Sequence, residues 1–209
     1  MSFKVFDVYA DKYDLWYLRN PVIFRCEADA IRSLNLKGKG VSLGVGTGIL
    51  DLSAPIQVGI EPSLKMLKIA SKRSIEPIRA VAEFLPIRDK SFDFVLMVAT
   101  LCFLSSPDKS LKEAKRIIRS GGHLAICFIP RDSTWGKEYT RKAMEGHILY
   151  SKARFYTFTE VKKMLNRLSL QIVDVKATLS FSPEDSPKKE IPSKDPRNKG
   201  FVCIKAKKV

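Results

Sequence analysis

Apolar positions along the chain follow two rhythms: steps of three and four that suit a helix, and short unbroken runs that suit a buried strand. Phe6, Tyr9, Tyr13 and Trp16 (or Tyr17) fall on one helical face, so residues 1–35 read as one or two helices. Asn20-Pro21 interrupts them, and the pattern resumes from Ile23 to Leu34. "GKGVSL" then leads into a short strand ending near Leu43, and "IQVGIE" (56–61) is the next. "PSLKMLKIASKR" predicts a helix opened by Pro62 and Ser63, with Leu64, Leu67 and Ala70 inward, and "PIRAVA" a short strand. "FDFVLMV" (92–98) is apolar except for Asp93, as a strand covered on both faces requires, and Asp93 is read as tying down a turn. "SSPDKSLKEAKRIIRSGG" carries helix punctuation: Ser106 as N-cap, Pro107 in the first turn, a stripe of Leu111, Ala114, Ile117 and Ile118, and Gly121-Gly122 as the stop. "HLAICFI" is the following buried strand.

Strands separated by helical patterns imply right-handed crossovers and a parallel sheet. "TWGKEYTRKAMEGHILYSKARFY" reads as helix and loop over that sheet. "TFTEVKKMLNRL" opens with a capping box, Thr157 to Glu160, and turns Val161, Met164, Leu165 and Leu168 inward. "LQIVDVKATL" and "GFVCIKAK" read as two late strands, and the proline- and charge-rich segment between them as a mobile surface loop at 180–199.

The chain has 209 residues, enough for one domain with a proper core, and 45% are apolar. No window reaches the roughly 18 apolar residues of a membrane span, and the N-terminus lacks the apolar block of a secretion signal. Cys26, Cys102, Cys127 and Cys203 lie far apart with no C-x-x-C pair, and two histidines do not complete a zinc site. A reduced, cytoplasmic protein without a metal is therefore expected, with Cys102 a packed residue and not a nucleophile. The net charge of +15 raises a polyanionic partner, but lysine and arginine are spread along the whole chain, as on a solvated surface.

"GKGVSLGVGTGILDL" (38–52) holds the candidate chemistry. A glycine-rich turn after a strand leaves backbone N–H groups free and lets a ligand approach closely. Glu61 ends the next strand, where a carboxylate accepts hydrogen bonds from both hydroxyls of a ribose. Met66 follows within a turn, and "AEFLP" (82–86) follows the third strand. Gly44, Gly46 and Gly48 miss the G-x-G-x-x-G dinucleotide spacing, and no Gly-Lys-Ser/Thr completes a P-loop. A nucleoside ligand without a pyrophosphate fits better than NAD or ATP.

These motifs resemble those of the class I S-adenosylmethionine-dependent methyltransferases, most closely the small-molecule branch that includes quinone-biosynthesis methyltransferases. "VSLGVGTG" looks like the family's first motif, "VGIEPSLKML" its second, "AVAEFLPIRDKSFDFVLMV" the run into the fourth strand, and "LKEAKRIIRSGGHLAI" the helix and fifth strand. The match covers roughly residues 38–128 in order and spacing. It implies an α/β, Rossmann-like seven-stranded sheet, mostly parallel with an antiparallel last strand and helices on both faces. One methyltransferase domain would span 1–209. Within it, 1–35 would be a helical lid, 38–128 the cofactor core, 131–156 a helical substrate-side insertion, and 157–209 the closing helix and strands. The cofactor would be S-adenosyl-L-methionine and the product S-adenosyl-L-homocysteine. Gly44, Val45, Gly46, Thr47 and Gly48 would pass under its methionine part, their backbone meeting its amino and carboxylate groups. Glu61 would hold the ribose, with Pro62 beside it, and Met66, Ala82, Glu83 and Phe84 would flank the adenine; for Met66 a core role explains the pattern equally well. Ala99, Thr100 and Phe103 would border the methyl-transfer centre.

The chain departs from the family pattern at three points. Ser42 stands where an acid is usual two residues before the first glycine, Val81 stands where Asp is common, and Pro55 leaves only about two turns for the first helix. Methyl transfer is an in-line displacement that rests largely on positioning, and a sulfonium favours aromatic faces. Tyr9, Tyr13 and Trp16 could close over the cofactor or simply pack on the sheet edge. Residues 1–25, 131–156 and 180–199 would select the acceptor, with Trp135, His147, Tyr150 and Phe155 as candidates. His147 is the first candidate for a base and Tyr13 the second catalytic candidate. "VATLCFL" replaces the Asn/Asp-Pro-Pro-Tyr/Phe signature of base-amine methylation in nucleic acids. A small-molecule acceptor is the leading reading. An RNA or protein acceptor using the basic surface, or a non-catalytic cofactor-binding module, are the alternatives. The acceptor atom and the oligomeric state are not legible.

Overall fold

Pro21 has no backbone N–H to donate, so the first helix ends just before it and a second begins on it. The computed structural model describes residues 4–209 and places α1 at Lys4–Arg19 and α2 at Pro21–Arg32. Residues 1–3 of the expected N-terminal segment lie outside the described residues. Seven strands follow: β1 (Gly40–Leu43), β2 (Ile56–Ile60), β3 (Glu76–Ile78), β4 (Phe92–Val98), β5 (Ile118–Phe128), β6 (Leu170–Thr178) and β7 (Phe201–Lys208). Four further helices are α3 (Leu64–Ser71), α4 (Pro107–Ile117), α5 (Thr134–Met144) and α6 (Phe158–Arg167).

The strands form one sheet in the order β3-β2-β1-β4-β5-β7-β6. The pairs among β1 to β5 are parallel, and β7 runs antiparallel between β5 and β6. This is the Rossmann-like sheet with one reversed late strand that the motifs implied. Alternation along β4 divides the core: Phe94, Leu96 and Val98 pack with residues of α2, α3 and α5, while Val95 and Met97 pack with α4 and α6. Both faces are covered, which is why "FDFVLMV" is apolar on successive positions. Each such fully buried side chain contributes roughly 1.5–3 kcal/mol. The capping box of α6 is complete: Thr157 Oγ1 accepts the Glu160 N–H at 3.2 Å, and Glu160 accepts the Thr157 N–H at 2.7 Å.

Several expectations need correction. In α3 the buried residues are Met66, Leu67 and Ala70, and Leu64 is 41% exposed, because the i, i+3 and i, i+4 contacts centre on a later stripe. The α4 helix stops at Ile117, and Ile118 pairs directly with Phe92, so Gly121-Gly122 lies inside β5 near a register shift instead of ending the helix. Between β1 and β2 only a single 3₁₀ turn, Asp51–Ser53, forms ahead of Pro55. The loop at 180–199 is fastened: Ala177 and Ser193 exchange backbone hydrogen bonds of 2.7 and 2.8 Å, and the Glu190 carboxylate accepts the Ser180 N–H at 3.0 Å. Cysteines 76 residues apart meet, because antiparallel pairing sets Cys127 opposite Cys203, and they form a disulfide. The expectation of an all-reduced set of cysteines does not hold. Asp93 does tie down a turn, accepting the Lys39 N–H at 2.7 Å.

Candidate functional site

Strand order reverses direction at β1, whose neighbours β2 and β4 are reached by connections to opposite sides, and ligands of open α/β sheets lie at the carboxyl ends of strands at such a point. A cavity of about 730 Å³ opens there, within the size range of small-molecule sites. Gly44, Val45 and Gly46 after β1, Glu61 and Pro62 after β2, and Ala99 and Thr100 after β4 line one end. Met66, Ala82, Glu83 and Phe103 lie along its sides. Helix α1 covers it with Tyr9, Tyr13 and Trp16, and α2 and α5 contribute Glu27 and Tyr139 to the far wall.

The glycine loop differs from the expectation in one respect. The N–H groups of Gly44 and Val45 both donate to the Ile60 carbonyl, at 2.7 and 3.1 Å, and Gly48 donates to Val45 at 2.8 Å. Those three donors are engaged within the protein. The Gly46 N–H is held at 3.1 Å by Glu61, whose other oxygen accepts from the Ser63 N–H at 2.9 Å. The loop therefore offers bare Cα surface and a positioned carboxylate in place of a row of open N–H groups. At Gly46 the backbone is left-handed (φ +56°) and nothing lies within 4 Å of where a Cβ would stand, so the missing side chain leaves room on the cavity side. At Gly44 a Cβ would overlap the Thr100 side chain, whose hydroxyl donates to the Gly44 carbonyl at 3.2 Å.

Two carboxylates stand beside this loop. Glu61 is 6% exposed, and burial pushes its carboxyl up to about 7 against the hydrogen bonds from Ser63 and Gly46. Asp51 is buried in the 3₁₀ turn and also raised to about 7 by burial, partly offset by a short hydrogen bond donated by Ser42 Oγ. The position that lacks an acid thus presents a hydroxyl to an acid nine residues later, and Asp51 reaches the cavity in its stead.

Helix α1 is fastened over the loop by its own acids. Asp14 accepts from Thr47 Oγ1 at 2.6 Å and pairs with Arg73 at 2.5 Å, and Arg73 also donates to the Thr47 carbonyl at 2.6 Å. Asp7 accepts from Ser63 Oγ at 2.6 Å. Thr47 therefore points away from the cavity into this latch, and Gly48 backs onto Ile75; neither lines the cavity. Phe84 also lies outside it, 67% exposed with the Lys109 ammonium 3.2 Å from its ring centroid. Trp135 is buried beneath, donating to the Phe181 carbonyl at 2.7 Å.

The catalytic candidates are placed less favourably for proton transfer. His147 lines the cavity and stacks on Tyr150 at 4.5 Å, but its Nδ1 accepts the Leu149 N–H at 3.3 Å. That assigns the ring proton to Nε2, so the neutral imidazole turns its lone pair to the backbone and is not set to act as a base. Tyr13 packs edge-on against Tyr17 at 5.6 Å, and burial raises its hydroxyl above the ordinary tyrosine range, so it keeps its proton. The pattern reading missed Asp51, Glu27, Tyr17 and Tyr139. For Glu27 a signal existed: it lies four residues from Ile23 and from Ile31, an acid on an otherwise apolar helical stripe.

Residues 41–126 match the family model for a methyltransferase domain. An uncharacterised protein of Methanocaldococcus jannaschii is 38% identical over 207 residues, covering 99% of this chain and 100% of that protein. A solved structure from Thermotoga maritima, described as an S-adenosylmethionine-dependent methyltransferase and possible histamine N-methyltransferase, is 33% identical, superposes with a TM-score of 0.94 and covers both chains fully. A demethylmenaquinone methyltransferase of a Mycobacterium species is 29% identical over 154 residues, 68% of this chain and 67% of that protein. The chain belongs to the class I S-adenosylmethionine-dependent methyltransferases, and it is an enzyme whose cofactor is S-adenosylmethionine.

Proposed function

We propose that the chain transfers a methyl group to a small molecule held inside the cavity, with the cofactor at the glycine-loop end and the acceptor against the aromatic wall. The observation that carries this reading is a single cavity of about 730 Å³ under α1, continuous from Gly46 and Glu61 to Tyr139 and Tyr150. A recessed, aromatic-lined cavity suits a small acceptor better than the flat surface of an RNA or protein. The descriptions of the Thermotoga structure, a possible histamine N-methyltransferase, and of the Mycobacterium relative, a demethylmenaquinone methyltransferase, name small-molecule acceptors and support it.

S-adenosylmethionine supplies an electrophilic methyl group on a sulfonium centre. In this reading Glu61 keeps lone pairs for the ribose hydroxyls beyond the two backbone bonds it already accepts. Asp51 takes the amino group of the methionine part, the role that an acid at position 42 would have had. Met66, Ala82 and Glu83 flank the adenine, and Glu83 is itself fixed by the Ser105 and Ser106 N–H groups at 3.0 and 3.2 Å. Helix α1 serves as the lid, excluding water and setting Tyr9, Tyr13 and Trp16 near the cationic centre. With His147 and Tyr13 poorly disposed as bases, positioning of an acceptor that already has a lone pair supplies the acceleration. The test is release of S-adenosylhomocysteine across a panel of amines, phenols and quinone precursors. Turnover of one class, lost in Glu61→Ala, supports the reading. Turnover only with RNA or protein, with salt-sensitive binding, overturns it.

A further inference from the structure

Glu27 has no part in the cofactor end of the cavity. It occupies the core-facing stripe of α2 between Ile23, Cys26, Ala30 and Ile31, is 4% exposed, and lines the cavity. A carboxylate in such a place costs several kcal/mol unless it is paired and hydrogen-bonded. Tyr17 Oη donates to Oε2 at 3.1 Å. Among the described residues Glu27 has no ion-pair partner and Oε1 accepts no hydrogen bond. The arginines of its own helix, Arg25 and Arg32, both turn to Asp29. A carboxylate has about four acceptor sites, so one tyrosine leaves most of its capacity unused.

The groups around it are also of one kind. Tyr13 and Tyr17 come from α1, Tyr139 stacks on Tyr150 at 4.4 Å, and Phe155 lies 6.2 Å from Tyr139. Ring faces attract a cation, most strongly when it is desolvated. The cations that line the cavity are Lys12, Arg19 and Lys142; Lys12 lies over Tyr9, and Lys142 is paired with Glu138 at 3.3 Å and lies over Tyr139. No ion pair joins any of them to Glu27. The chamber therefore holds a buried carboxyl group and a ring cage without the cation that would draw out its charge.

We infer that Glu27 anchors a cationic nitrogen of the methyl acceptor, a group distinct from the lone-pair atom that takes the methyl at the cofactor end, which makes the acceptor an amine and not a neutral quinone or phenol. This rests on the small-acceptor reading above and narrows it to one chemical class. On binding, Glu27 gives up its carboxyl proton to solvent and the ammonium donates a charge-assisted hydrogen bond to Oε1, with the rings closing around the charge and no covalent step involved.

Calorimetric titration near neutral pH with 2-phenylethylamine and with 2-phenylethanol, its neutral counterpart of similar shape, tests it. Each is run with and without S-adenosylhomocysteine. The amine is expected to bind at least tenfold more tightly than the alcohol, as a charge-assisted hydrogen bond requires. In Glu27→Gln the two should bind within twofold of each other, while affinity for S-adenosylhomocysteine stays unchanged. Equal binding of amine and alcohol by the wild-type protein, binding of neither, or a preference that survives Glu27→Gln overturns the proposal. The wild-type comparison decides even if the variant does not fold. Failure of S-adenosylhomocysteine to bind would count against the cofactor placement alone, since the titration without it still reads Glu27.

Discussion

Replacing Glu27 by Gln should make the ligand-free protein less sensitive to alkaline pH. Burial holds the Glu27 carboxyl at about 8, whereas an unshifted glutamate titrates at 4.5. Between those values the folded state keeps a proton that the unfolded chain has released, so stability falls as pH rises and levels off above about 8. At about 1.4 kcal/mol per pH unit, that interval sets an upper bound of roughly 5 kcal/mol on the loss. Water entering the chamber lowers the figure, so a loss of about 2 to 5 kcal/mol is expected. Gln keeps an acceptor for the Tyr17 hydroxyl and removes the charge. Asp51 and Glu61 are raised for the same reason and contribute slopes of the same sign to both proteins, so the double difference isolates Glu27. Tyr13, Tyr17, Tyr139 and Tyr150, which face it, are all raised by burial and stay protonated across the range. Urea denaturation near pH 5 and near pH 9 measures the effect, with unchanged m-values as the control. An equal loss in wild type and variant, within about 0.5 kcal/mol, would mean that Glu27 is solvated in the fold, and the argument from its burial would fail.

Glu61→Ala should weaken S-adenosylhomocysteine binding by roughly tenfold to a hundredfold in calorimetry, the worth of hydrogen bonds to a charged group; full retained affinity would refute the ribose assignment. Gly46→Ala should separate binding from stability. Its left-handed backbone costs about 1–2 kcal/mol and its methyl group meets no atom within 4 Å, yet it intrudes on the cofactor space. A small drop in Tm with a loss of cofactor affinity above tenfold is expected. Asp14→Ala removes the latch to Thr47 and Arg73, and about 2 kcal/mol of lost restraint should speed hydrogen exchange in residues 4–19 by roughly thirtyfold. Unchanged exchange there would show that α1 is held by its rings alone.

Much of the fold was legible because its strands are covered on both faces and its helices carry explicit signals. The unbroken "FDFVLMV", Pro21, Ser63 and the Thr157–Glu160 box each act locally, and the structure keeps them. The misreadings came where a distant neighbour decides. Gly121-Gly122 has the composition of a helix stop, yet pairing of Ile118 with Phe92 takes the chain into the sheet three residues earlier. Cys127 and Cys203 meet only through the register of two antiparallel strands, and no spacing in the chain encodes that register. The 180–199 loop looks polar enough to be free, but the Glu190 and Ser193 bonds that tether it depend on where β6 ends.

The site divides along the same line. Positions fixed by the chain's own turn, Gly44 to Gly46 and Glu61, could be named from spacing, since a glycine loop and the end of the next strand are neighbours in any parallel pair. Asp51 could not be: Ser42 read as a missing acid, whereas the short crossover to β2 folds Asp51 back onto it and restores a carboxylate beside the loop. Glu27 was visible as an acid on an apolar stripe but had no local partner to explain it. A stripe chosen for stability alone would carry leucine there, because a desolvated carboxylate raises the cost of folding. That cost is tolerable only if the bound state recovers it. The acid that weakens the empty protein is therefore the one whose charge the acceptor must answer, and the stability and binding consequences of Glu27→Gln should carry opposite signs.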